Sequence, residues 1–584
     1  MKKRYNILTL ILAVILLIGS CKSDFLDVKP AGSLDPSLLG NTNGLNTLLI
    51  GAYSMLPGTK TFNWTWEASS TNWVFGAIRG LEANKGTDSG DQPDINPIQT
   101  FTETATNPYL NLRWRAIYEG VSRCNNLIIV TNTALAAGTI TQEQADLYIK
   151  QARVLRGWYH FEAWRMWEKI PYLDETTDPK AAANTEDPKA KIIADITEGT
   201  KLPLNMGAVG KFNKTVSEVI LAKAMMQMNH DYAGALTILA DAKATGTKAN
   251  GAAIGLAPTY GEIFDIVNRN GIECIYTVQY SVNDGSGAKN AGDGEVLNFP
   301  YKSGGSPGGC CGFFNPTQEF VNSFRTSGGL PLLDFTYNLS PVKSDQGVAK
   351  APATGPDPFV TDAGPLDPRL DWSVGRRGIP YWDWGLHTGA DWIRDQTYSG
   401  PYNPKKQVYK KSQEGQYTEV GNWTSGWTAN GYRMIRYADL LLLLAECQIQ
   451  TGAMADAFAN INAVRNRAAN PAGFVKMPDG TNAANYVISL YPSATAFPFD
   501  TKDNALKALY MERKLELGQE GHRYFDLNRW GITVTELNRA LTYEKTMPWG
   551  NALYGGATVG AEDVTYPIPQ RQLDLSNGAL VQNR

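Results

Sequence analysis

Two groups of aromatic and polar side chains have the residue types of a ligand-binding site. The first contains Asn72, Trp73 and Phe75, and the second contains Arg376, Tyr381, Trp382, Asp383, Trp384 and Trp392. A sugar presents apolar C–H faces that stack on flat rings, and hydroxyl groups that bond to Asn, Asp or Arg. If residues 381–384 are extended, Trp382 and Trp384 point to one side of the segment and Asp383 to the other. We therefore predict that both groups contact a ligand.

Other interpretations of these residue types stay open. The aromatic side chains could fill the core of a loop-rich region, and Trp423 with Trp427 forms a weaker third group. A glycoside hydrolase would need two carboxylates roughly 5 to 9.5 Å apart, and Asp383, Asp391 and Asp395 could supply them. The sequence does not place these carboxylates relative to one another.

A charged block between residues 512 and 531 has two interpretations. Glu512, Glu516 and Glu520 recur at helical spacing, and Arg513 is able to pair with Glu516. With His522 nearby, the carboxylates could be metal ligands or an acid/base pair. We favour an ion-paired network that holds the last helices together, which would stabilise the fold strongly only if it is buried.

No cofactor or metal is indicated by the remaining residues. The acidic segment at residues 88–94 could hold Ca²⁺ through its carboxylates, but such a segment is more often a solvated turn. Neither interpretation makes the protein metal-dependent.

Cys310 and Cys311 are adjacent in a glycine-rich loop. Neighbouring Cα atoms lie about 3.8 Å apart, less than the roughly 4.4 to 6.8 Å usual for a disulfide, so a bond between them would be strained. Two hypotheses remain open: a vicinal disulfide that presents Phe313 or Phe314 to a ligand, and two free thiols.

Four blocks of helical periodicity must position these loops. They lie at residues 114–167, 217–242, 435–468 and 504–530. In the third block the break at Thr451-Gly452 predicts two antiparallel helices that approach closely at Ala445 and Ala457. The intervening stretch from residue 261 is rich in Gly, Pro and Asp, which favours irregular loops held by a helical scaffold.

The N-terminal residues predict export. Lys2, Lys3 and Arg4 precede an apolar run at residues 7–18, which reaches only about 18 Å at about 1.5 Å per residue and is too short to span a bilayer. Small residues then precede Cys21, as in the lipobox of bacterial lipoproteins. We predict a signal peptide at residues 1–20 and a lipidated leader at residues 21–36, with Cys21 tethered through several acyl chains.

The composition is that of an ordinary globular protein. Of 584 residues, 43% are hydrophobic and 19% are charged, and the net charge is −3, which provides no basic surface for nucleic acid. With Cys21 lipidated, five cysteines remain, so they cannot all form pairs. Cys124 and Cys447 lie in helical patterns and are expected to be small core residues.

Motifs along nearly the whole chain resemble the SusD/RagB family of outer-membrane nutrient-binding lipoproteins. They are Phe25-Leu26-Asp27, Gly51-Ala52-Tyr53, Ala152-Arg153-Val154-Leu155-Arg156, Asp367-Pro368-Arg369-Leu370, Ile435-Arg436-Tyr437-Ala438-Asp439-Leu440, Glu512-Arg513-Lys514-Leu515-Glu516-Leu517, Glu520 to Gly531 and Tyr566-Pro567-Ile568-Pro569. The long block from Glu512 to Gly531 is the most specific of these.

The resemblance implies a mainly α fold in which four tetratricopeptide-like helix pairs support an irregular ligand-binding region. Residues 37–584 would form a single domain, with the helix-pair scaffold at 37–260 and 431–535 and the loop-rich insert at 261–430. It also implies a non-catalytic, lipid-anchored protein on the outer membrane. Such a protein binds glycan and delivers it to a partner SusC-like TonB-dependent transporter.

Two other functions are weighed beside this one. A helical-repeat adaptor would bind peptide or protein on its helix faces, and loss of Trp382 and Trp384 would leave its function intact. A glycoside hydrolase would release oligosaccharide from a polysaccharide, whereas a receptor would bind it without turnover.

Overall fold

The computed structural model describes residues 39–58, 65–301, 305–352, 354–421 and 424–584. The predicted signal peptide, the leader with Cys21, and Trp423 lie outside the described residues. Within them the fold is mainly α, as predicted, with strands only in short antiparallel pairs.

The α-helices, numbered in chain order, are α1 (Thr42–Tyr53), α2 (Ile95–Thr100), α3 (Pro108–Ala136), α4 (Gln142–Trp167), α5 (Lys189–Gly199), α6 (Lys214–Asn229), α7 (Tyr232–Thr245), α8 (Gln318–Asn322), α9 (Leu370–Ser373), α10 (Gln396–Ser399), α11 (Tyr437–Thr451), α12 (Met454–Ala468), α13 (Lys502–Leu517), α14 (Arg523–Trp530), α15 (Thr533–Glu544), α16 (Gly550–Tyr554) and α17 (Gln570–Leu575). The strands are β1 (Cys274–Val278), β2 (Thr326–Ser327), β3 (Leu330–Pro331), β4 (Val374–Gly375), β5 (Asn403–Pro404), β6 (Thr418–Glu419), β7 (Trp427–Thr428) and β8 (Tyr432–Arg436).

Consecutive long helices pack as pairs, because each has an apolar face that must be covered. Helix α3 packs on α4, α6 on α7, and α11 on α12, and α11 also contacts α7 and α13. Local signals mark the ends of the helices, and the break at Thr451-Gly452 lies where the sequence predicts it. Thr141 and Gln144 form a capping box that starts α4, and Gly452 ends α11 with a φ of 90°. The tetratricopeptide-like character of these pairs stays a prediction.

The α11–α12 pair confirms the predicted helical hairpin. Ala445, Ala457, Ile461 and Val464 are all fully buried. Small side chains at the crossing let the two backbones approach, and each larger side chain contributes about 1.5 to 3 kcal/mol by burial. Cys124 and Cys447 are fully buried too, as expected for small core residues.

The loop-rich stretch begins and ends at neighbouring positions on the helical scaffold. Strand β1 pairs antiparallel with β8, with Cys274 opposite Arg436 and Val278 opposite Tyr432. Strand β8 then runs directly into α11. The two ends of a segment of about 150 residues are therefore hydrogen-bonded side by side, and the described α-helices within it have only four or five residues.

The charged block on α13 and in the turn after it forms a buried ion-pair network, which confirms the structural interpretation. Glu512, Glu516 and Glu520 are at most 7% exposed. Their partners are Arg369 and Arg465 for Glu512, Arg369, Arg436 and Arg467 for Glu516, and Arg436 and Lys406 for Glu520. The expected Arg513–Glu516 pair is wrong, because Arg513 turns instead to Asp439 and Asp526 at 3.0 and 2.8 Å.

These partners fix the charge state of the network. Burial by itself raises the pKa of Glu520, but the charges of Arg436 and Lys406 more than offset it and lower the pKa to about 2. The same balance, dominated by Arg467 and Arg436, holds the pKa of Glu516 well below its usual range. Glu516 and Glu520 are therefore ionised at neutral pH, and both carboxylates are bonded to cations of the fold itself.

None of the helices in the described part of the chain has the length and apolar character required to cross a bilayer.

Candidate ligand-binding site

The structure separates the predicted ligand-binding residues by burial. Six of them are interior: Asn72, Trp73, Phe75, Arg376, Tyr381 and Trp392 are at most 4% exposed. A side chain with so little exposed surface has no area to offer a ligand. The expectation of direct ligand contact is therefore not supported for these six residues.

The first group belongs to the core beneath the loops. Trp73 donates its indole N–H to the carbonyl of Gly294 at 2.9 Å and packs edge-on against Phe313 and Phe314. Phe75 packs edge-on against Tyr566. Asn72 adopts a φ of 54° and hydrogen-bonds to Arg113 and Glu162. This group joins the residue 73–78 helical turn to the loops around it.

The buried members of the second group support the surface segment at residues 381–385. Arg376 forms a bidentate pair with Asp371 at 2.6 and 2.9 Å. The Tyr381 hydroxyl donates to the carbonyl of Pro404, and Trp392 packs edge-on against Tyr381 with ring centroids 5.5 Å apart. These residues hold the segment in place and do not form its surface.

Trp382, Asp383 and Trp384 do reach the surface, in a turn and not in an extended segment. The amide of Trp384 donates to the carbonyl of Tyr381 at 3.1 Å, and the amide of Tyr381 donates to Gly385 at 2.9 Å. Trp382 has a φ of 51°, a left-handed conformation that closes the turn. The extended alternative is thus wrong. Even so, both indoles are half-buried and Asp383 is exposed.

Both indoles are oriented by the same neighbouring segment. The Trp382 N–H donates to the carbonyl of Lys405 at 3.2 Å, and the Trp384 N–H donates to the carbonyl of Tyr409 at 2.8 Å. The Asp383 carboxylate accepts from the amides of Lys411 and Ser412 at 2.5 and 3.0 Å. Because the polar atoms are satisfied within the protein, the rings contribute mainly apolar surface to this site.

Cationic side chains lie over these rings. Lys410 Nζ is 5.5 Å from the Trp382 ring and Lys411 Nζ is 5.9 Å from the Trp384 ring. Lys410 also pairs with Asp265. Such cation–π contacts at exposed positions contribute about 0.5 to 1 kcal/mol, so a ligand that stacks better is able to displace them.

Sequence reasoning missed Tyr301, which is linked to the aromatic turn through Trp392. Its ring is half-buried, and its amide donates to the carbonyl of Trp392 at 2.8 Å. The Arg394 guanidinium lies 5.3 Å from the ring. The only signal in the sequence was a tyrosine at the edge of the glycine-rich loop. We call Tyr301, Trp382, Trp384, Asp383 and Arg394 the ring face.

The acidic segment at residues 88–94 is held by cations of the protein. Arg394 pairs with Asp88 at 2.8 Å and with Asp91 at 2.5 Å. Lys85 Nζ donates to the backbone carbonyls of Asp88 and Asp91, each at 2.7 Å. In the described ranges no group of three or more His, Cys, Asp or Glu side chains is arranged to hold a metal ion.

Cys310 and Cys311 are bonded to one another in the structure. Their loop covers Tyr409, whose hydroxyl accepts from the amide of Gly308 at 3.0 Å and whose ring lies 5.7 Å from that of Trp384. Phe313 and Phe314 are at most 3% exposed, so the hypothesis that the disulfide presents them to a ligand is wrong. Tyr409 instead connects the disulfide loop to the ring face.

The three carboxylates considered for hydrolysis each have a structural partner. Asp383 accepts from two backbone amides, as described above. Asp391 pairs with Lys350 at 2.6 Å, and Asp395 accepts from the amide of Thr397 at 3.0 Å at the start of α10. Burial raises the pKa of Asp383, but the hydrogen bonds from Ser412 and Lys411 lower it below its usual value, which is the opposite of what a general acid requires.

Comparison with known proteins agrees with this architecture. The profile of the SusD family matches residues 272–584, more than half of the chain. The chain belongs to the SusD family. SusD-like protein P38 of Formosa agariphila is 23% identical over 554 residues, which are 91% of this chain and 92% of that protein.

Solved structures of SusD proteins share the fold. A SusD superfamily protein from Bacteroides vulgatus has a TM-score of 0.65 and 19% identity, over 94% of this chain and 99% of that one. Surface glycan-binding protein A from Bacteroides thetaiotaomicron, in complex with laminarihexaose, has a TM-score of 0.64 and 20% identity, over 93% and 99% of the two chains. At this identity the likeness establishes the SusD fold and not the ligand.

Proposed function

We propose that this SusD-family protein binds an oligo- or polysaccharide at the cell surface and delivers it, without hydrolysis, to a TonB-dependent transporter. The observation that carries the proposal is the ring face. Trp382, Trp384 and Tyr301 are half-buried rings held by hydrogen bonds to backbone carbonyls, with charged side chains beside them. Family membership and the laminarihexaose complex of a SusD relative support the glycan as ligand.

The construction of the ring face suits a sugar better than a peptide. The indole N–H groups are already bonded to the carbonyls of Lys405 and Tyr409, so the rings offer stacking surface. Asp383 and Arg394 stand beside them with further hydrogen-bonding capacity for hydroxyl groups. Each stacked ring should contribute on the order of 1 kcal/mol beyond its buried area.

The absence of hydrolysis is part of the proposal. Asp383, Asp391 and Asp395 are each engaged by amides or by a lysine within the protein. A glycoside hydrolase needs one carboxyl group that keeps its proton next to the scissile bond. Its hydrogen bonds lower the pKa of Asp383, so Asp383 is poorly suited to that role, and we assign no catalytic role to Asp391 or Asp395.

Surface display and delivery rest on the sequence and the family. A lipid on Cys21 would tether the protein through the leader, and a SusC-like transporter would receive the glycan, as the resemblance implies. Expression of the full chain in a Gram-negative host, followed by surface protease treatment and labelling with a radioactive fatty acid, tests the tether with Cys21→Ala as its control. Co-purification of the transporter from solubilised outer membrane tests the partnership.

The binding experiment uses a soluble form that begins at Lys22. Isothermal titration against a polysaccharide panel that includes laminarin should identify a ligand. Trp384→Ala and Trp382→Ala should then weaken binding about fivefold or more, because each removes one stacking ring. Trp164→Ala is the matched control, since Trp164 is a half-buried tryptophan on α4, away from the ring face.

Two results would overturn the proposal. Unchanged affinity in both ring-face variants would move the glycan site elsewhere. Release of new reducing ends from the bound polysaccharide would make the protein an enzyme.

A further inference from the structure

A second cleft, separate from the ring face, opens beside the first helix. It has a volume of about 850 Å³ and lies between α1, residues 209–211, the end of β1 and residues 279–291. This volume falls within the roughly 300 to 1,000 Å³ typical of small-molecule pockets. None of the described residues that line it belongs to the ring face.

One wall of the cleft is apolar. Leu49, Met55 and Leu56 form its base and are at most 5% exposed, while Ile50 stands at its mouth with 68% of its surface exposed. An isoleucine left so exposed beside a concave surface loses solvent contact when a ligand enters.

Two of the three tyrosines that line the cleft add ring surface more than hydroxyl groups. The Tyr53 hydroxyl bonds to Gln151 and accepts from the amide of Phe212 at 2.8 Å. The Tyr276 hydroxyl donates to the carbonyl of Gly210 at 3.2 Å. Since these polar atoms already have partners, the two rings extend the apolar wall.

Other polar groups of the lining are also bonded within the protein. Asn46 accepts from the Tyr148 hydroxyl at 2.9 Å, and Gln279 donates to the carbonyl of Thr277 at 2.6 Å. Asn290 donates to Asp284 at 2.8 Å. The lining therefore offers few free hydrogen-bonding groups to the hydroxyls of a sugar. A ligand with an apolar body does not need such groups and fits the lining better.

The charge of the lining has one sign. Arg123, Lys211 and Lys289 line the cleft, and no Asp or Glu is found among its described lining residues. Arg123 is paired with Glu119 at 2.9 Å and also bonds to the carbonyl of Gly51, so it serves the packing of α1 on α3. Lys211 is half-buried and has no hydrogen-bond or ion-pair partner within the described ranges.

We propose that this cleft binds a single-chain amphiphile with an anionic head, such as a fatty acid or a lysophospholipid. The chain lies along Leu49, Met55 and the tyrosine rings, and the head lies at Lys211 and Lys289 on the rim. An apolar wall supplies affinity through burial, and the ammonium of Lys211, which has no partner among the described residues, supplies the preference for an anion. The site is independent of the proposed glycan function.

The test uses the soluble form that begins at Lys22. The probe is 1-anilinonaphthalene-8-sulfonate, which combines an apolar body with an anionic group and fluoresces when bound. Decanoate should displace it at a single site, decanol should displace it much more weakly, and a glucuronic acid oligosaccharide should not displace it. The comparison of decanoate with decanol isolates the charge, and the oligosaccharide distinguishes a lipid from an anionic glycan.

Two substitutions place the site. Ile50→Glu and Lys211→Glu should each weaken decanoate binding about tenfold or more, because an added carboxylate at the mouth repels the anionic head. Ile129→Glu is the matched control on α3, since Ile129 is 48% exposed and does not line the cleft. Thermal unfolding of all three variants checks that the fold is retained, and glycan titration should be unchanged in each.

The proposal is overturned if decanoate fails to displace the probe, or if decanol competes equally well. It is also overturned if Ile50→Glu and Lys211→Glu bind decanoate as the unmodified protein does while remaining folded. Stronger displacement by the glucuronic acid oligosaccharide than by decanoate would assign the cleft to a glycan instead.

Discussion

The charged helix α13 and the aromatic turn at residues 381–385 are equally rich in side chains that could perform chemistry, but the fold uses them in opposite ways. On α13 and in the turn directly after it, the carboxylates of Glu512, Glu516 and Glu520 are buried against cations from four other segments. In the turn, backbone carbonyls satisfy the indoles of Trp382 and Trp384 and leave ring surface facing solvent. Residue type alone therefore does not indicate a ligand-binding site. The groups to which each side chain is bonded in the fold, and the surface they leave exposed, do.

The comparison also separates stability from binding. A buried charge that loses its partner is left in a medium that solvates it poorly, so the network is expensive to break. A half-buried ring that is removed exposes little new surface and leaves its neighbours in place. Variants of α13 should therefore affect the free energy of unfolding, and variants of the turn should affect ligand affinity.

The largest effect is expected from Glu516→Ala. This change leaves Arg369, Arg436 and Arg467 with fewer counter-charges in the interior, and should lower the free energy of unfolding by about 3 to 5 kcal/mol. Urea unfolding followed by circular dichroism measures it. Lys350→Ala is the control, since it breaks the exposed Lys350–Asp391 pair and should cost less than about 1 kcal/mol. Equal losses in both variants would remove the distinction between the two regions.

The next effect contrasts two tryptophans of the predicted site. Trp73→Ala empties a fully buried position and should cost about 3 kcal/mol or somewhat more in stability, with glycan affinity retained by the folded protein. Trp384→Ala should do the reverse, with a smaller loss of stability and weaker binding. Urea unfolding measures the stability of both variants, and glycan titration measures their affinity. Direct loss of affinity in a well-folded Trp73→Ala protein would restore Trp73 to the ligand-binding residues.

The pH dependence of stability supplies a third contrast. Burial raises the pKa of Glu544 to about 8, whereas a glutamate in the unfolded chain titrates near about 4.3. Between these values the folded protein holds a proton that unfolding releases, so the free energy of unfolding falls as pH rises, by up to about 1.4 kcal/mol per pH unit from this group. Burial raises the pKa values of Glu82 and Glu295 to about 7, so these two groups also make the free energy of unfolding fall as pH rises.

Glu520 and Asp526 behave in the opposite way. Burial raises the pKa of each, but Arg436 near Glu520 and Arg513 near Asp526 lower both values to about 2. Their contribution to the free energy of unfolding is complete above the pKa that these groups have in the unfolded chain, and it is lost as pH falls towards 2.

Glu544→Gln isolates the raised carboxyl group. Urea unfolding between pH 5 and 8 should show a flatter pH profile in this variant than in the unmodified protein. Glu562→Gln, at an exposed position, is the control and should leave the profile unchanged. A profile that stays as steep after Glu544→Gln would show that Glu544 does not retain its proton in the folded protein.

The helices were predictable from the sequence because their signals are local. The apolar spacing around Ala445 and Ala457, and the Thr451-Gly452 break, act within a few residues of the structure that they specify. The ring face was predicted only in part. Burial of Trp73, Tyr381 and Trp392 depends on Gly294, Pro404 and other residues from distant segments, which periodicity within one segment does not reveal.

Redox treatment should produce the smallest effect. With Cys310 and Cys311 bonded, alkylation of the denatured, unreduced soluble form should label only Cys124, Cys274 and Cys447, and prior reduction should add two labels. Labelling of both Cys310 and Cys311 without reductant would contradict the bond. Mass spectrometry distinguishes the two results.

Reduction of that bond should change glycan affinity by less than about twofold, or about 0.4 kcal/mol. The loop is held independently of the sulfur atoms, since the amide of Gly312 donates to the carbonyl of Phe299 at 2.9 Å and the amide of Gly308 donates to the Tyr409 hydroxyl at 3.0 Å. Tyr409 therefore keeps its position beside Trp384 after reduction. Titration of the reduced and oxidised forms with the same glycan measures the change, and Trp384→Ala sets the scale. A loss on reduction larger than that of Trp384→Ala would make the disulfide loop, and not the indole turn, the main binding surface.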